Sequence, residues 1–133
     1  MKLRTATFVA ALLCATTGAD RQAQAQFSVP ITPQKIDGAT LFARQCGTCH
    51  IATAEGGPRQ GPRLFSVYGR PAGTLAGFKY TGKYQASGIV WDETTLDTYL
   101  TNPQAMIPGA VMAYRQADPE IRHTIIAWLK EQH

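Results

Sequence analysis

No stretch of the 133 residues stays apolar over the roughly 18 positions that a membrane-spanning helix needs, which excludes a polytopic membrane protein. Clustered positive charge is missing as well. A nucleic-acid binder carries a basic stripe, whereas the basic residues beyond the first 25 positions are scattered. Cysteine is scarce, with only Cys14, Cys46 and Cys49. There is no internal repeat and no low-complexity tract, and the chain has room for one ordinary domain. Charged residues are only 17% against 44% hydrophobic, too apolar a balance for a disordered chain.

The N-terminus reads as a cleaved secretory signal over residues 1–25. Lys2 and Arg4 supply a basic start, Phe8 to Ala15 form a short apolar stretch, and Ala23-Gln24-Ala25 offers a small-x-small cleavage site. The apolar stretch is too short to remain as a membrane anchor. Cys14 does not make a lipoprotein site, because Leu13 stands where a small residue is required. Cleavage after Ala25 leaves 108 residues, 26–133. It removes Lys2, Arg4, Asp20 and Arg21, which lowers the formal net charge from +4 to +2.

The remaining chain opens with a short arm, 26–35, containing Pro30 and Pro33. Asp37 caps a helix from Gly38 whose apolar face is Leu41, Phe42, Gln45 and Cys46. From Gly56 to Gly82, Gly and Pro recur too often for strand alternation, so this segment reads as loop. Asp92 caps a second helix with Leu96, Tyr99 and Leu100 on one face, ended by Asn102-Pro103. Pro108-Gly109 marks a turn. Asp118-Pro119-Glu120 starts a last helix that buries Ile121, Ile125, Trp128 and Leu129. The fold class is therefore all-α. Three short helices and a long irregular middle bury little apolar surface by themselves, so something else must fill the centre.

Cys46-Gly47-Thr48-Cys49-His50 supplies it. C-x-x-C-H is the attachment signature of a c-type haem. Two thiols spaced by two residues at a helix end match the two vinyl groups, and the adjacent imidazole reaches the iron. A thioredoxin-like site would follow a strand, and none precedes Cys46. A zinc site would need a second ligand pair, and beyond the motif only His123 and His133 remain. The second axial ligand must come from Met106, Met112, His123 or His133. His123 lies beside Arg122 on a helix, and His133 is terminal. Met106 follows the end of a helix, whereas Met112 lies on a loop that Pro108 and Gly109 hold open.

With these segments in order, the chain resembles a class I cytochrome c of the mitochondrial-like bacterial type, from Gly38 to Lys130. Gly38 and Phe42 look like the small-and-aromatic pair that crosses the last helix at Ile125 and Trp128. Gly61-Pro62-Arg63-Leu64 is similar to G-P-x-L, whose Pro carbonyl accepts the proximal His proton. Tyr68-Gly69-Arg70 and Gly77-Phe78-Lys79-Tyr80-Thr81 look like segments around the propionates, and Gly88-Ile89-Val90-Trp91 is similar to G-I-x-W. Ile107-Pro108-Gly109-Ala110-Val111-Met112 looks like the distal ligand loop, which selects Met112 over Met106.

The resemblance implies a cytochrome c fold of three or more short helices and long loops around one haem c, held through two thioethers. The implied site is Cys46, Cys49, His50, Pro62, Arg70, Tyr80, Trp91, Tyr99 and Met112, with His50 and Met112 on the iron. Pro62 would fix the His50 ring. Arg70, Tyr80 and Trp91 would serve the propionates, and Tyr99 would approach the Met112 sulfur. The implied function is periplasmic one-electron transfer between redox proteins, a dehydrogenase or an oxidase, by a monomer or enzyme subunit that is not itself an enzyme. The alternatives are a dedicated haem c subunit of a periplasmic dehydrogenase complex, and a haem peroxidase or gas sensor with a displaceable distal ligand. Three departures stand out. Gln45, Gln104 and Val111 replace frequent lysines, Ala110 replaces a hydroxyl residue, and Tyr84 replaces a common Asn.

Overall fold

The computed structural model describes residues 35–81 and 83–133. The segment read as a secretory signal, 1–25, and residues 26–34 of the arm lie outside these. In chain order the elements are α1 (Gly38–Gln45), a 3-10 helix (Gln85–Ser87), α2 (Glu93–Thr101), α3 (Pro103–Met106) and α4 (Pro119–Lys130). Among the described residues there is no strand beyond a single antiparallel bridge between Pro71 and Val90, and no helix is long and apolar enough to cross a membrane.

Each long helix starts on a carboxylate. Asp37 accepts from Thr40 N at 2.8 Å. Asp92 and Thr95 form a reciprocal capping box. Asp118 accepts from Glu120 N at 2.9 Å, with Pro119 at the first helical position. The second helix does end at Asn102, as Pro103 demands, but the chain turns and restarts at once. Asn102 closes α2 and its side chain caps α3, accepting from Ala105 N at 3.3 Å. Proline keeps its predecessor out of helical geometry yet suits a first helical turn, so one residue pair ends a helix and begins another.

α1 and α4 pack against one another, and α2 packs against α4 and α3. The α1–α4 contact centres on Phe42 and Trp128, with ring centroids 4.7 Å apart. Gly38 makes this approach possible: a Cβ there would sit 2.4 Å from Trp128 Cβ and 2.7 Å from the Thr124 carbonyl. The buried face of α4 differs from the single stripe read from its sequence. Ile125, Ile126, Leu129 and Arg122 are buried, whereas Ile121 and Trp128 are only partly so. A helix pressed by neighbours on two sides buries a wider arc than one apolar stripe provides.

Arg122 is buried without being apolar, at 8% exposure. Its Nε donates to Asp97 Oδ1 at 2.7 Å and Nη2 to Oδ2 at 3.3 Å, joining α4 to α2. Its Nη1 donates to the Gln116 and Ala117 carbonyls at 3.0 and 2.9 Å. With these four bonds the guanidinium is well satisfied, which is what permits its burial. The hydrogen bond from Arg122 holds the Asp97 carboxyl below its ordinary range, against a smaller opposing effect of burial.

The middle segment is ordered by cross-links rather than by regular structure. Gly69 N donates to the Trp91 carbonyl at 2.7 Å, Trp91 N to the Arg70 carbonyl at 3.0 Å and Ala72 N to the Ile89 carbonyl at 2.8 Å. Core residues Ala52, Val67, Ala72, Trp91, Ile107 and Ala110 come from this segment and from the stretch before α4. The helices thus frame one side and the loops close the other.

Gly38→Val should lower the stability of the haem-loaded protein by about 1–3 kcal/mol through overpacking at the α1–α4 contact. The denaturant midpoint at constant slope measures it. An unchanged midpoint would show that the two helices separate freely.

Candidate functional site

The site begins where α1 ends. Phe42 O accepts from both Cys46 N and Gly47 N at 2.8 Å. The Cys46 carbonyl then accepts from Cys49 N at 3.0 Å and His50 N at 2.9 Å. One tight turn therefore carries both thiols and the imidazole. The loop 61–64 lies against this turn: Gly61 N donates to the Cys49 carbonyl at 2.8 Å and Leu64 N to the Ile51 carbonyl at 2.7 Å. Arg59 also donates to the Gly47 carbonyl.

His50 Nδ1 lies 2.8 Å from the Pro62 carbonyl oxygen. A carbonyl only accepts, so Nδ1 carries the proton and Nε2 keeps a free lone pair. Burial holds the His50 imidazolium below the usual histidine range, and the Pro62 carbonyl opposes this only in part. The ring is thus neutral and fixed, the form a metal requires. Gly61 is part of the same cradle. A Cβ there would fall 2.2 Å from His50 Cε1 and 2.8 Å from Nε2, so only glycine lets this loop cover the ring.

The thiols are unpaired. Burial pushes the Cys46 thiol up to about 11, and the neighbouring Cys49 adds to this. Cys49 Sγ donates to Gln60 Oε1 at 3.0 Å. The Cys46 thiol, which burial keeps protonated, is no poised nucleophile of the redox-enzyme kind. Two unpaired thiols and an imidazole with a free Nε2, all on one turn, fit a covalently held haem. Among the described residues no cluster of three or more His, Cys, Asp or Glu could hold a bare metal ion. His123 and His133 instead line a surface groove on α4 with Glu93, Lys130 and Glu131. His123 Nε2 lies 3.7 Å from Asp97.

Met106 and Met112 are both half-buried against the core. Met106 closes α3, and its N–H donates to Asn102 O at 3.2 Å. Met112 belongs to an irregular stretch, 110–118. Arg70 donates to the Phe65 and Arg63 carbonyls, both at 3.0 Å, which leaves other guanidinium N–H groups for an anionic partner. Burial pulls its pKa down, while Tyr80 favours the charge.

Phe78, Tyr80, Tyr84, Tyr99 and Trp91 form a continuous aromatic row with successive centroids 4.9, 5.4, 6.3 and 4.9 Å apart. The Tyr99 hydroxyl pairs with the Tyr84 hydroxyl at 2.6 Å. Burial first, then Tyr84, push the Tyr99 phenol far above its usual range. The Trp91 indole N–H makes no hydrogen bond within the chain among the described residues, and since no buried side-chain nitrogen there lacks a partner, it opens onto accessible space. It is a free donor for the propionates of a bound haem.

Several residues that build the site were not singled out for it from the sequence. Gly61 had a signal, since it opens the G-P-x-L segment. Gln45 and Tyr114 had none: their hydrogen bond joins positions 69 residues apart. Arg122 sits in a helical pattern where a solvated side chain is the ordinary reading.

The family model for cytochrome c matches residues 36–133. The cytochrome c of Chlamydomonas reinhardtii is 40% identical over 95 residues, 71% of this chain and 85% of that protein. The cytochrome c of Arabidopsis thaliana is 40% identical over 96 residues, 71% of this chain and 86% of that protein. A bacterial relative, the cytochrome c2 of Rhodomicrobium vannielii, is 39% identical over 99 residues, 74% of this chain and 78% of that protein.

Gly61→Val should displace the His50 ring and lose most of the haem-loaded yield, read as haem absorbance per purified chain. Gly57→Val, where no atom lies within 4 Å of an added Cβ, should keep it. Equal loading of both variants would mean that the cradle does not set the ring.

Proposed function

From the chain's membership of the cytochrome c family, which makes it a haem c electron carrier, we propose that it works in the periplasm with His50 and Met112 as the two axial ligands. The haem supplies reversible one-electron chemistry at its iron. Everything else is done by the protein. Cys46 and Cys49 hold the group covalently, and His50 presents Nε2 to it. Pro62 fixes the tautomer and raises the basicity of the ring. Arg70, Tyr80 and Trp91 supply charge and donors for the propionates, which are costly to bury unpaired. Met112 brings a soft thioether that favours Fe(II).

The observation that carries this reading is the 2.8 Å contact between His50 Nδ1 and Pro62. A proximal ring locked by its second nitrogen resists movement on a change of charge. Low reorganisation suits a carrier. With Met112 as the second ligand, no coordination position would remain for a substrate, which would favour electron transfer over peroxidase chemistry.

Support for the periplasm comes from the sequence of residues 1–25, read as a secretory signal cleaved after Ala25, and from the likeness to a bacterial cytochrome c2. Residues 26–133 then form the single haem domain. Its partners are periplasmic redox proteins, a dehydrogenase or an oxidase. The docking face lacks a ring of lysines. Gln45 and Gln104 stand in place of lysines, Val111 is 72% exposed, and Arg115 is tied to Gln104 Oε1 at 3.0 Å. With a mature charge of +2, long-range steering is weak.

Met112→Ala should abolish the long-wavelength sulfur-to-iron charge-transfer absorption of the oxidised protein, while Met106→Ala should keep it. The reverse result reassigns the ligand. The second-order rate of electron transfer with the native partner should change less than about threefold between roughly 0.01 and 0.15 M ionic strength. A fall of about tenfold or more would mean that Arg44, Arg59 and Arg115 rebuild a charged docking ring.

A further inference from the structure

The stretch between α3 and α4 is anchored at both ends but not in its middle. Ala110 N donates to the Ile107 carbonyl at 3.0 Å, and Gln116 N donates to the Leu100 carbonyl at 2.9 Å. Between them, residues 111–115 take part in no backbone–backbone hydrogen bond among the described residues. Met112 sits in this span, so its position rests on side chains.

One side-chain group crosses from this span to the helix that carries the thiols. The Tyr114 hydroxyl donates to Gln45 Oε1. Gln116 Nε2 donates to the same oxygen at 2.9 Å and lies 3.3 Å from the Tyr114 hydroxyl. The orientation of the Gln116 amide follows from its other end, where Oε1 accepts from Asp118 N at 3.0 Å. Gln45 is the last residue of α1, directly before Cys46. The remaining tie of the span, Arg115 to Gln104, is exposed and reaches α3 rather than α1. Gln45 is thus engaged within the molecule instead of being offered to a partner. All three groups are neutral, so salt does not screen the contact.

We propose that Gln45, Tyr114 and Gln116 form a polar clasp that holds the Met112 span closed against the end of α1. Tyr114 and Gln45 are then positioning residues for the sixth ligand, a role that rests on the assignment of Met112. An external ligand binds only the open form, so its apparent dissociation constant is the intrinsic one divided by the open fraction. The clasp suppresses that fraction, and losing one net hydrogen bond should raise it roughly fivefold.

The test is a titration of the oxidised haem-loaded protein with imidazole. Tyr114→Phe, which keeps the ring, should lower the apparent dissociation constant roughly fivefold. Gln45→Leu, which removes the bond from Gln116 as well, should lower it at least as far, and the double variant should do no more than Gln45→Leu, because the Tyr114 contact is already lost with Gln45. Asp37→Ala, which removes the cap at the far end of α1, should lower the melting temperature but leave imidazole affinity unchanged. The proposal is overturned if either clasp variant stays within about twofold of the parent, or if Asp37→Ala shifts affinity as much as they do. In both cases the parent still shows its sulfur-to-iron absorption. A parent protein without that absorption overturns the Met112 assignment itself, and the clasp with it.

Discussion

The hydrogen bond from His50 to the Pro62 carbonyl is the contact around which the site is arranged. It requires Nδ1 to hold the proton, and so leaves the Nε2 lone pair free. It brings loop 61–64 against the 46–50 turn, an approach tolerated only because Gly61 has no side chain. Burial disfavours the charged ring, and the carbonyl offsets only part of that. The result is a neutral, oriented imidazole beside a Cys46 thiol that burial keeps protonated. A free-thiol redox centre would need the opposite, a depressed thiol pKa near positive charge.

A chain with so much loop needs a stiff reference for that contact, and α1, α2 and α4 supply it. The Gly38–Trp128 approach sets how closely α1 lies on α4. Arg122 joins α4 to Asp97 on α2 and to the carbonyls just before α4. That guanidinium links the helical frame to the end of the Met112 span. The two segments are therefore held by different physics. The 46–50 turn is tied by backbone N–H groups and a fixed imidazole, while the Met112 span is held by side chains alone between residues 111 and 115.

The same asymmetry shapes the outer face. Gln45 and Gln104 are engaged within the molecule, by Tyr114 and Gln116 and by Arg115 respectively. Val111 remains as an exposed apolar contact. A face of this kind favours short-range fit over long-range attraction. Inside, the Tyr99 hydroxyl is paired with that of Tyr84. One of the two phenols donates to the other at 2.6 Å, and among the described residues no buried side-chain oxygen or nitrogen is left without a partner.

Much of this was legible in the chain before any fold was seen, and the reason is locality. C-x-x-C-H, the caps at Asp37, Asp92 and Asp118, and the Pro103 break each act within about one turn of backbone, so residue type and spacing determine them. The all-α class followed from the same local signals, and the likeness to cytochrome c covered the long-range order of segments. Other features depend on positions far apart in the chain. The buried arc of α4 widened to include Ile126 and Arg122 because two helices press on it. Asn102 became a cap for α3 as well as the end of α2. The Tyr84–Tyr99 pair spans 15 residues, and the Gln45–Tyr114 contact spans 69. The sequence by itself determined which group is held and by which turn. Only the tertiary structure decided which partners each buried polar side chain would find, because a hydrogen bond between distant residues has no spacing rule to announce it.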